Sequence, residues 1–527
     1  MHRFLTLLIL LTALFSVACQ PALLNPPRLA TAEAQAATAG TIAPTRTPLF
    51  LPAPTPTGGA INQPVGTAAP IPTVRPNPRL TLWVNETEAI YREVLAEMAA
   101  ELQTDYGIDL EYLFVDPNRL PDLVASASIS DTLPDLILHP LQYSTGWAAQ
   151  GILSPEMATA ALDQLGRDTF DAGALQLVGV GGEGQIAALP SDGWQQIWLY
   201  RTDWYEALDL APPTSYTAIL TAAQTIYQSA EISAQTGVSN TLISGLVVPT
   251  EAELYTTQFV FEQLAVANGC DLVSPEGEIT FIHPDCLDAL DFYRDLVNGY
   301  SPSDVQTDLS ALNTYLAGRT GMIVTLPTVL PRLLGQDERF LPSCPQCRAD
   351  PLFLAQNSGI VTVVEGRGPN AQAANFGQII NLGISRTADE ALALQFADYW
   401  FNAGYLKWLA VEPARRVPMR LGTAADPVAF QQAWQALPIT SAGQTIADVF
   451  GAEAAEQLVA DITSTPRWGF AQGQGPLITT IATKKVFPII LQEMLSGYFT
   501  SSQAVIEAYN RVVALIPNYA YDNAADE

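Results

Sequence analysis

Lysine and histidine each occur only three times in 527 residues, and 24 basic side chains stand against 53 acidic ones, a formal net charge of -29. A chain so poor in cations repels phosphate backbones, which excludes nucleic acid as a partner, and anionic headgroups cannot hold it by charge. Five cysteines in widely separated positions do not make a zinc site, and no metal or cofactor is expected. Long apolar runs are also missing: no stretch reaches the roughly 20 residues of a membrane span. What remains, 48% hydrophobic with 15% charged and 9% aromatic residues, is too apolar for general disorder and long enough for two or three domains.

The start of the chain carries an address. Met1-His2-Arg3 precedes the apolar stretch Phe4 to Phe15, a secretory signal rather than a span. It ends in Ser16-Val17-Ala18-Cys19, which resembles a bacterial lipobox. The expected boundaries are a signal peptide at 1–18, then the lipidated Cys19 and a tether to residue 78. That tether, residues 20–78, holds 13 of the 39 prolines and only Arg28, Glu33, Arg46 and Arg75 as charges. It cannot bury a core and reads as an extended or coil-like spacer. The expected location is the extracytoplasmic face of the cell membrane, reached through an N-terminal lipid.

From Arg79 onward the pattern changes. Leu80-Thr81-Leu82-Trp83-Val84 alternates as a strand, and Ile90, Val94, Leu95, Met98 and Leu102 then fall at helical spacing within 87–103. Ile108 to Phe114 is a second strand, Leu120, Leu123 and Val124 mark a helix, and Asp135-Leu136-Ile137-Leu138 is a third strand. This order predicts an α/β fold with a parallel sheet covered by helices, whose ligands gather beyond the carboxyl ends of the strands. Gly179-Val180-Gly181-Gly182-Glu183-Gly184 satisfies G-x-G-x-x-G but runs into the strand-like Gln185 to Pro190. A dinucleotide fingerprint must open a helix, so this is read as a glycine hairpin turn.

The chain resembles the extracellular solute-binding proteins of ABC transporters, in the sugar-binding branch that includes maltose-binding protein. The resemblance rests on the ordered set Leu80 to Asn85, Leu133 to Leu138, Ala187 to Trp194, Trp198 to Tyr205, Pro212 to Tyr216, Tyr315 to Val324, Asn375 to Ser385 and Phe396 to Trp400. It implies two α/β lobes joined by a crossover hinge with a ligand cleft between them. The implied crossovers lie near 188–200 and 355–385, with lobe one at about 79–190 and 375–425 and lobe two at about 191–374 and 426–520.

A sugar site needs flat aromatic faces and groups that bond to hydroxyls. Trp194, after Ser191-Asp192-Gly193 at the first crossover, is the expected stacking platform, and Trp468, in a Pro- and Gly-flanked loop, is a second. Asn85 and Glu86 follow the first strand, His139, Gln142 and Tyr143 are expected in the loop after Leu138, and Asp192 completes the ligand-binding set. Arg415-Arg416 lies in a loop before Pro418 that reads as solvated or ion-paired, with contact to an acidic ligand as the alternative. Cys270 and Cys286 flank a hairpin around Val273 to Phe281 and Cys344-Pro345-Gln346-Cys347 is local; in an exported protein both pairs are expected as disulfides.

The expected function is capture of a small solute, a sugar or oligosaccharide, by a monomer that delivers it to the transmembrane subunits of an ABC permease. No catalytic residue is expected. The alternatives are a non-sugar solute such as a peptide or polyamine, a sensor subunit, or a surface glycoside hydrolase, which would need two carboxylates about 5 to 9 Å apart; the chain names no such pair.

Overall fold

A computed structural model describes residues 77–181, 184–464, 466–517 and Tyr519. Contacts divide the chain into two units, Met1–Thr73 and Val74–Glu527, and every described residue lies in the second. The signal peptide, Cys19 and nearly all of the tether therefore lie outside the described residues.

Strand β1 (Arg79–Val84) turns Leu80, Leu82 and Val84 inward and pairs in parallel with β2 (Asp109–Phe114) and β3 (Leu136–Pro140). Parallel neighbours require crossovers, supplied by helices Ile90–Glu101 and Leu120–Ser130. The first helix buries Tyr91, Leu95 and Met98, spaced four and three apart on one face, and starts three residues later than its periodicity suggests. It passes into a π-turn at Leu102–Tyr106, which Gly107 ends at a φ of +66°.

Strand β4 (Leu189–Gln195) joins the same sheet before the chain crosses over. A second sheet then forms from β5 (Ile197–Arg201), β6 (Ser244–Val247), β7 (Thr320–Thr325) and β8 (Ser358–Val361), in the order β6-β7-β5-β8. The short pair β9 (Val364–Glu365) and β10 (Ala373–Ala374) leads back, and β11 (Gly377–Ile384) inserts antiparallel between β3 and β4. With β12 (Val417–Pro418) the first sheet reads β12-β4-β11-β3-β1-β2. β4 and β11 are buried along their whole length, as central strands covered on both faces must be.

The passage from sheet to sheet occurs at Gln196, inside the expected crossover. Residues 191–195, assigned above to lobe two, therefore lie in lobe one's sheet, because β4 pairs with β11 through Gln195. Helix Ala429–Gln435, also assigned to lobe two, packs on β12, and its Trp434 indole donates to the Pro413 carbonyl.

Both crossovers meet one side chain. Gln263 Oε1 accepts from Gln196 Nε2 at 2.7 Å and from Trp198 Nε1 at 3.0 Å, while its Nε2 donates to the Thr362 and Ala374 carbonyls at 2.8 and 3.2 Å. A single buried amide thus ties the two passages to helix Tyr255–Ala267.

Cys270–Cys286 and Cys344–Cys347 are disulfide-bonded, the first closing a hairpin in which Val273 bridges Ile279. Gly179 bridges Ile186, Gly181 and Gly184 take positive φ, and a strand rather than a helix follows, so the glycine-rich motif is a turn. Among the described residues no helix is long and apolar enough to cross a membrane, and no cluster of His, Cys, Asp and Glu could hold a metal ion.

Candidate ligand site at the lobe junction

Among the described residues the buried apolar side chains form three clusters, and the third lies between the lobes. It joins Tyr143, Trp147 and Trp194 of the first lobe and Phe376 at the return crossover to Tyr255, Phe259 and Ala482 of the second, with Trp83 packed against it. Tyr143 stacks on Trp147 with centroids 4.8 Å apart and meets Tyr255 edge-on at 6.1 Å. Trp194 lies 6.2 Å from Phe259 and 6.5 Å from Phe376, which stack on each other at 4.7 Å.

Local chemistry positions these side chains. Helix Leu141–Ala149 follows directly on β3, so Gln142 and Tyr143 occupy its first turn rather than a loop as expected. Pro140 cannot cap it with a side chain; Gln378 of β11 does so instead, its Oε1 accepting from Leu141 N and its Nε2 donating to Gln142 Oε1 at 3.0 Å. Across the junction, helix Gly475–Thr483 approaches so closely that a Cβ on Gly146 would collide with Thr479. Thr479 Oγ1 donates to the Gln142 carbonyl at 2.6 Å, and Asn118 Oδ1 accepts from Tyr255 N at 3.2 Å.

Buried polar atoms without a hydrogen-bond partner are Trp194 Nε1 in the cluster, Gln258 Oε1 on the helix that carries Tyr255 and Phe259, and both side-chain atoms of Asn85 at the end of β1. The Tyr143 and Tyr255 hydroxyls lie within hydrogen-bonding reach of one another, and Tyr143 within reach of Gln142, so this buried polar group is closed mainly on itself. Burial pushes both phenols above the ordinary tyrosine range, so they are neutral donors and acceptors at physiological pH. Buried polar groups are otherwise almost always paired. Together these atoms form a mixed set of donors and acceptors set among aromatic faces, the complement of a hydroxyl-bearing ring.

Four expected ligand residues are committed elsewhere, and the reasons are physical. Glu86 and Asp192 are buried carboxylates, and burial requires a counter-charge. Arg416 supplies it to both, at 2.6 and 2.7 Å, and Arg415 adds a contact to Glu86 at 2.9 Å. Asp192 Oδ2 also accepts from Trp408 Nε1 at 2.9 Å, while the Arg416 guanidinium lies 4.1 Å from the Trp408 ring and 4.6 Å from that of Tyr91. Burial pulls Arg416 down, but Tyr91, Asp192 and Glu86 outweigh it and hold the guanidinium above its ordinary range.

His139 is fully buried. Its Nδ1 donates to the Ile137 carbonyl at 3.0 Å, so Nε2 accepts from Ser144 Oγ at 3.1 Å, and Ser144 accepts in turn from Asn381 Nδ2. Burial lowers its pKa to about 4, only partly opposed by the Ile137 carbonyl, so it is a neutral supporting residue whose ring lies 5.1 Å from Trp147. Trp468 belongs to the second lobe's core, packed on Phe261, Phe281 and Phe487 with its indole nitrogen donating to the Cys270 carbonyl. Trp194 is buried to the same degree, and what separates the two is that the Trp468 nitrogen is satisfied within the second lobe's core whereas that of Trp194 has no partner.

Gln142, Tyr143 and Trp194 therefore stand at the junction, joined by Trp147, Tyr255, Gln258, Phe259 and Phe376, which sequence reasoning missed, while Asn85 is buried at the end of β1 with its amide unpaired. A signal existed for part of this: helix Tyr255–Ala267 is buried on nearly every side yet holds Gln258, Glu262 and Gln263, and polar groups in such a helix must have partners or a purpose.

Two open cavities flank the junction without containing this set. One of about 270 Å³ lies between Glu88, Ala410 to Ala414 and Arg332, and one of about 1170 Å³ is lined by Arg167, Phe170, Gln176, Gln185, Arg467 and Phe470 among others. Neither is lined by the unpaired polar atoms, which makes the aromatic junction the better candidate.

Two lobes on separate sheets, joined by paired crossovers around an aromatic and polar junction, define the periplasmic solute-binding fold. No family model matches the chain. It is 22% identical over 339 residues to the Escherichia coli (strain K12) protein named "Putative ABC transporter periplasmic-binding protein YcjN", covering 63% of this chain and 70% of that one. Among solved structures, maltose-bound MalE3 of T. maritima superposes with a TM-score of 0.61 at 18% identity, covering 83% of this chain and 100% of that one. A solute-binding protein from Thermotoga lettingae TMO bound with alpha-D-tagatose gives 0.62 at 18% identity, over 82% and 98%. The chain has the MalE-like fold.

Proposed function

We propose that this protein is an extracytoplasmic receptor that captures a sugar or oligosaccharide at the lobe junction and delivers it to an ABC permease. The observation that carries the reading is the cluster itself, whose aromatic faces and unpaired buried donors and acceptors come from both lobes. A ligand that bonds to groups on both lobes makes more contacts when they are closed, and that difference drives closure. The kinship with an ABC-transporter binding protein and with maltose- and tagatose-bound structures supports the same reading.

The role is capture rather than catalysis. Three buried acids around the junction, Glu86, Asp192 and Glu262, are each held in ion pairs, which commits them to structure rather than to proton transfer. Cys19 and the tether at 20–78 complete the proposal as a lipid anchor and spacer. Titration of the full-length protein with maltose, laminaribiose, mannitol and tagatose, followed by tryptophan fluorescence, tests it. Saturable binding of one member, weakened at least tenfold by Trp194→Ala, is expected; no response to any sugar would refute the carbohydrate reading.

A further inference from the structure

The buried and half-buried cations around the junction are already spent. Arg415 and Arg416 are held by Glu86, Asp192 and Glu412. Arg467, whose guanidinium lies 4.0 Å from the Phe376 ring of the cluster, bonds Glu262 at 2.9 Å and the Gly377 carbonyl at 2.7 Å. Arg332 and Arg339 are shared between Glu88 and Asp337, and the Lys485 ammonium is paired with Glu253. Two exposed cations, Arg119 and Lys484, sit on bordering segments, but neither figures among the charges acting on Tyr143 and Tyr255. Those charges are Asp116, Asp122 and Glu253, all negative.

We infer that the junction takes an uncharged polyhydroxyl ligand and excludes its anionic counterparts, the uronate, aldonate or phosphorylated forms of the same sugar. This rests on the sugar reading above and adds a selection rule to it. A carboxylate or phosphate entering the cluster would lose its hydration shell among aromatic rings with no guanidinium free to replace it, and a buried unpaired charge is among the most unfavourable states a protein can hold. A hydroxyl entering the same place meets Gln142, Gln258, Trp194 and two phenols, each able to donate or accept without a charge. The pre-paired arginines thus act against anions: had Glu262 been an amide, the Arg467 guanidinium beside Phe376 would be free to recruit one.

The test is calorimetric titration of the full-length protein with matched pairs, maltose against maltobionate and mannitol against mannitol 1-phosphate, with glycine betaine as a zwitterionic non-sugar, at 0.1 and 1 M NaCl. The neutral sugar should bind at least 100-fold more tightly than its anionic partner at both salt concentrations. An anionic partner within tenfold of the neutral one, or binding alone, overturns the inference while leaving the sugar reading intact. A ratio that collapses below tenfold at 1 M NaCl assigns the exclusion to the acidic body as a whole, since salt screens distant charges, and overturns it too. Binding of glycine betaine alone upholds the exclusion of net anions and sinks the sugar reading, and no binding by any member counts against both.

Discussion

Replacing Arg416 by methionine tests whether the buried charge network is the internal ion pair that the site argument requires. The guanidinium reaches Glu86 at 2.6 Å and Asp192 at 2.7 Å with its side chain 1% exposed. At such a distance and an effective dielectric constant of about 20, each contact is worth about 6 kcal/mol of gross attraction, most of it offset by the desolvation of three charges. Methionine fills the space between Tyr91 and Trp408 but leaves Asp192 with only neutral donors, Trp408 Nε1 and Ser191 Oγ, whereas Glu86 keeps Arg415. The loss should be about 3–5 kcal/mol. Asp192→Asn should also destabilise the parent, because it leaves Arg416 with Glu86 alone, a carboxylate that Arg415 already shares. In the Arg416→Met background the same change should instead stabilise by about 1 kcal/mol or more, since it removes an unpaired buried charge. Urea unfolding of the four proteins at pH 7, followed by fluorescence and near-ultraviolet circular dichroism, measures this cycle where the two probes coincide. A coupling energy below about 0.5 kcal/mol would refute the reasoning.

The remaining predictions concern a pH window, the hinge and the two tryptophans. His139 has a native pKa of about 4 against 6.5, so between these values the unfolded chain binds a proton that the native state does not. Its contribution is fully present above pH 6.5 and is lost as pH falls toward 4, about 3 kcal/mol in all. His139→Gln should abolish that part of the slope, and a stability difference between the two proteins that stays constant from pH 4 to 6.5 would contradict it. Gln263→Leu takes away the bonds to Trp198 Nε1 and to the Thr362 and Ala374 carbonyls, leaves Gln196 Nε2 only its long bond to the Phe259 carbonyl, and should lower stability by about 2–4 kcal/mol; a change under 1 kcal/mol in denaturant unfolding would show that the crossovers do not depend on it. Trp468→Ala should destabilise by about 3–5 kcal/mol and leave the affinity of the folded protein within threefold, the opposite of the pattern expected for Trp194→Ala. Equal effects of both on affinity would place Trp468 at the site after all.

Much of the first lobe was readable because its signals are local. Leu80, Leu82 and Val84 alternate, Tyr91, Leu95 and Met98 recur at helical spacing, and both register in strands and helices where the pattern puts them. The disulfide hairpin was readable for the same reason, since Cys270 and Cys286 are 16 residues apart around a turn. The lobe boundaries were less so: whether Ser191 to Gln195 belongs to one sheet or the other depends on β11, almost 190 residues later, pairing with β4.

The candidate site divides along the same line. Residue type alone marked Trp194, Tyr143 and Asn85, but it marked Glu86, Asp192 and Trp468 equally. An unpaired carboxylate and an ion-paired one are identical in sequence, and only folding brings Arg416 beside Glu86 across 330 positions. The covalent chain determined the order of strands and helices, the cysteine pairs and the excess of acid. Tertiary structure decided which tryptophan has its nitrogen paired, which carboxylate is neutralised and which buried polar atoms are left to a ligand, because burial and charge pairing are properties of neighbours in space.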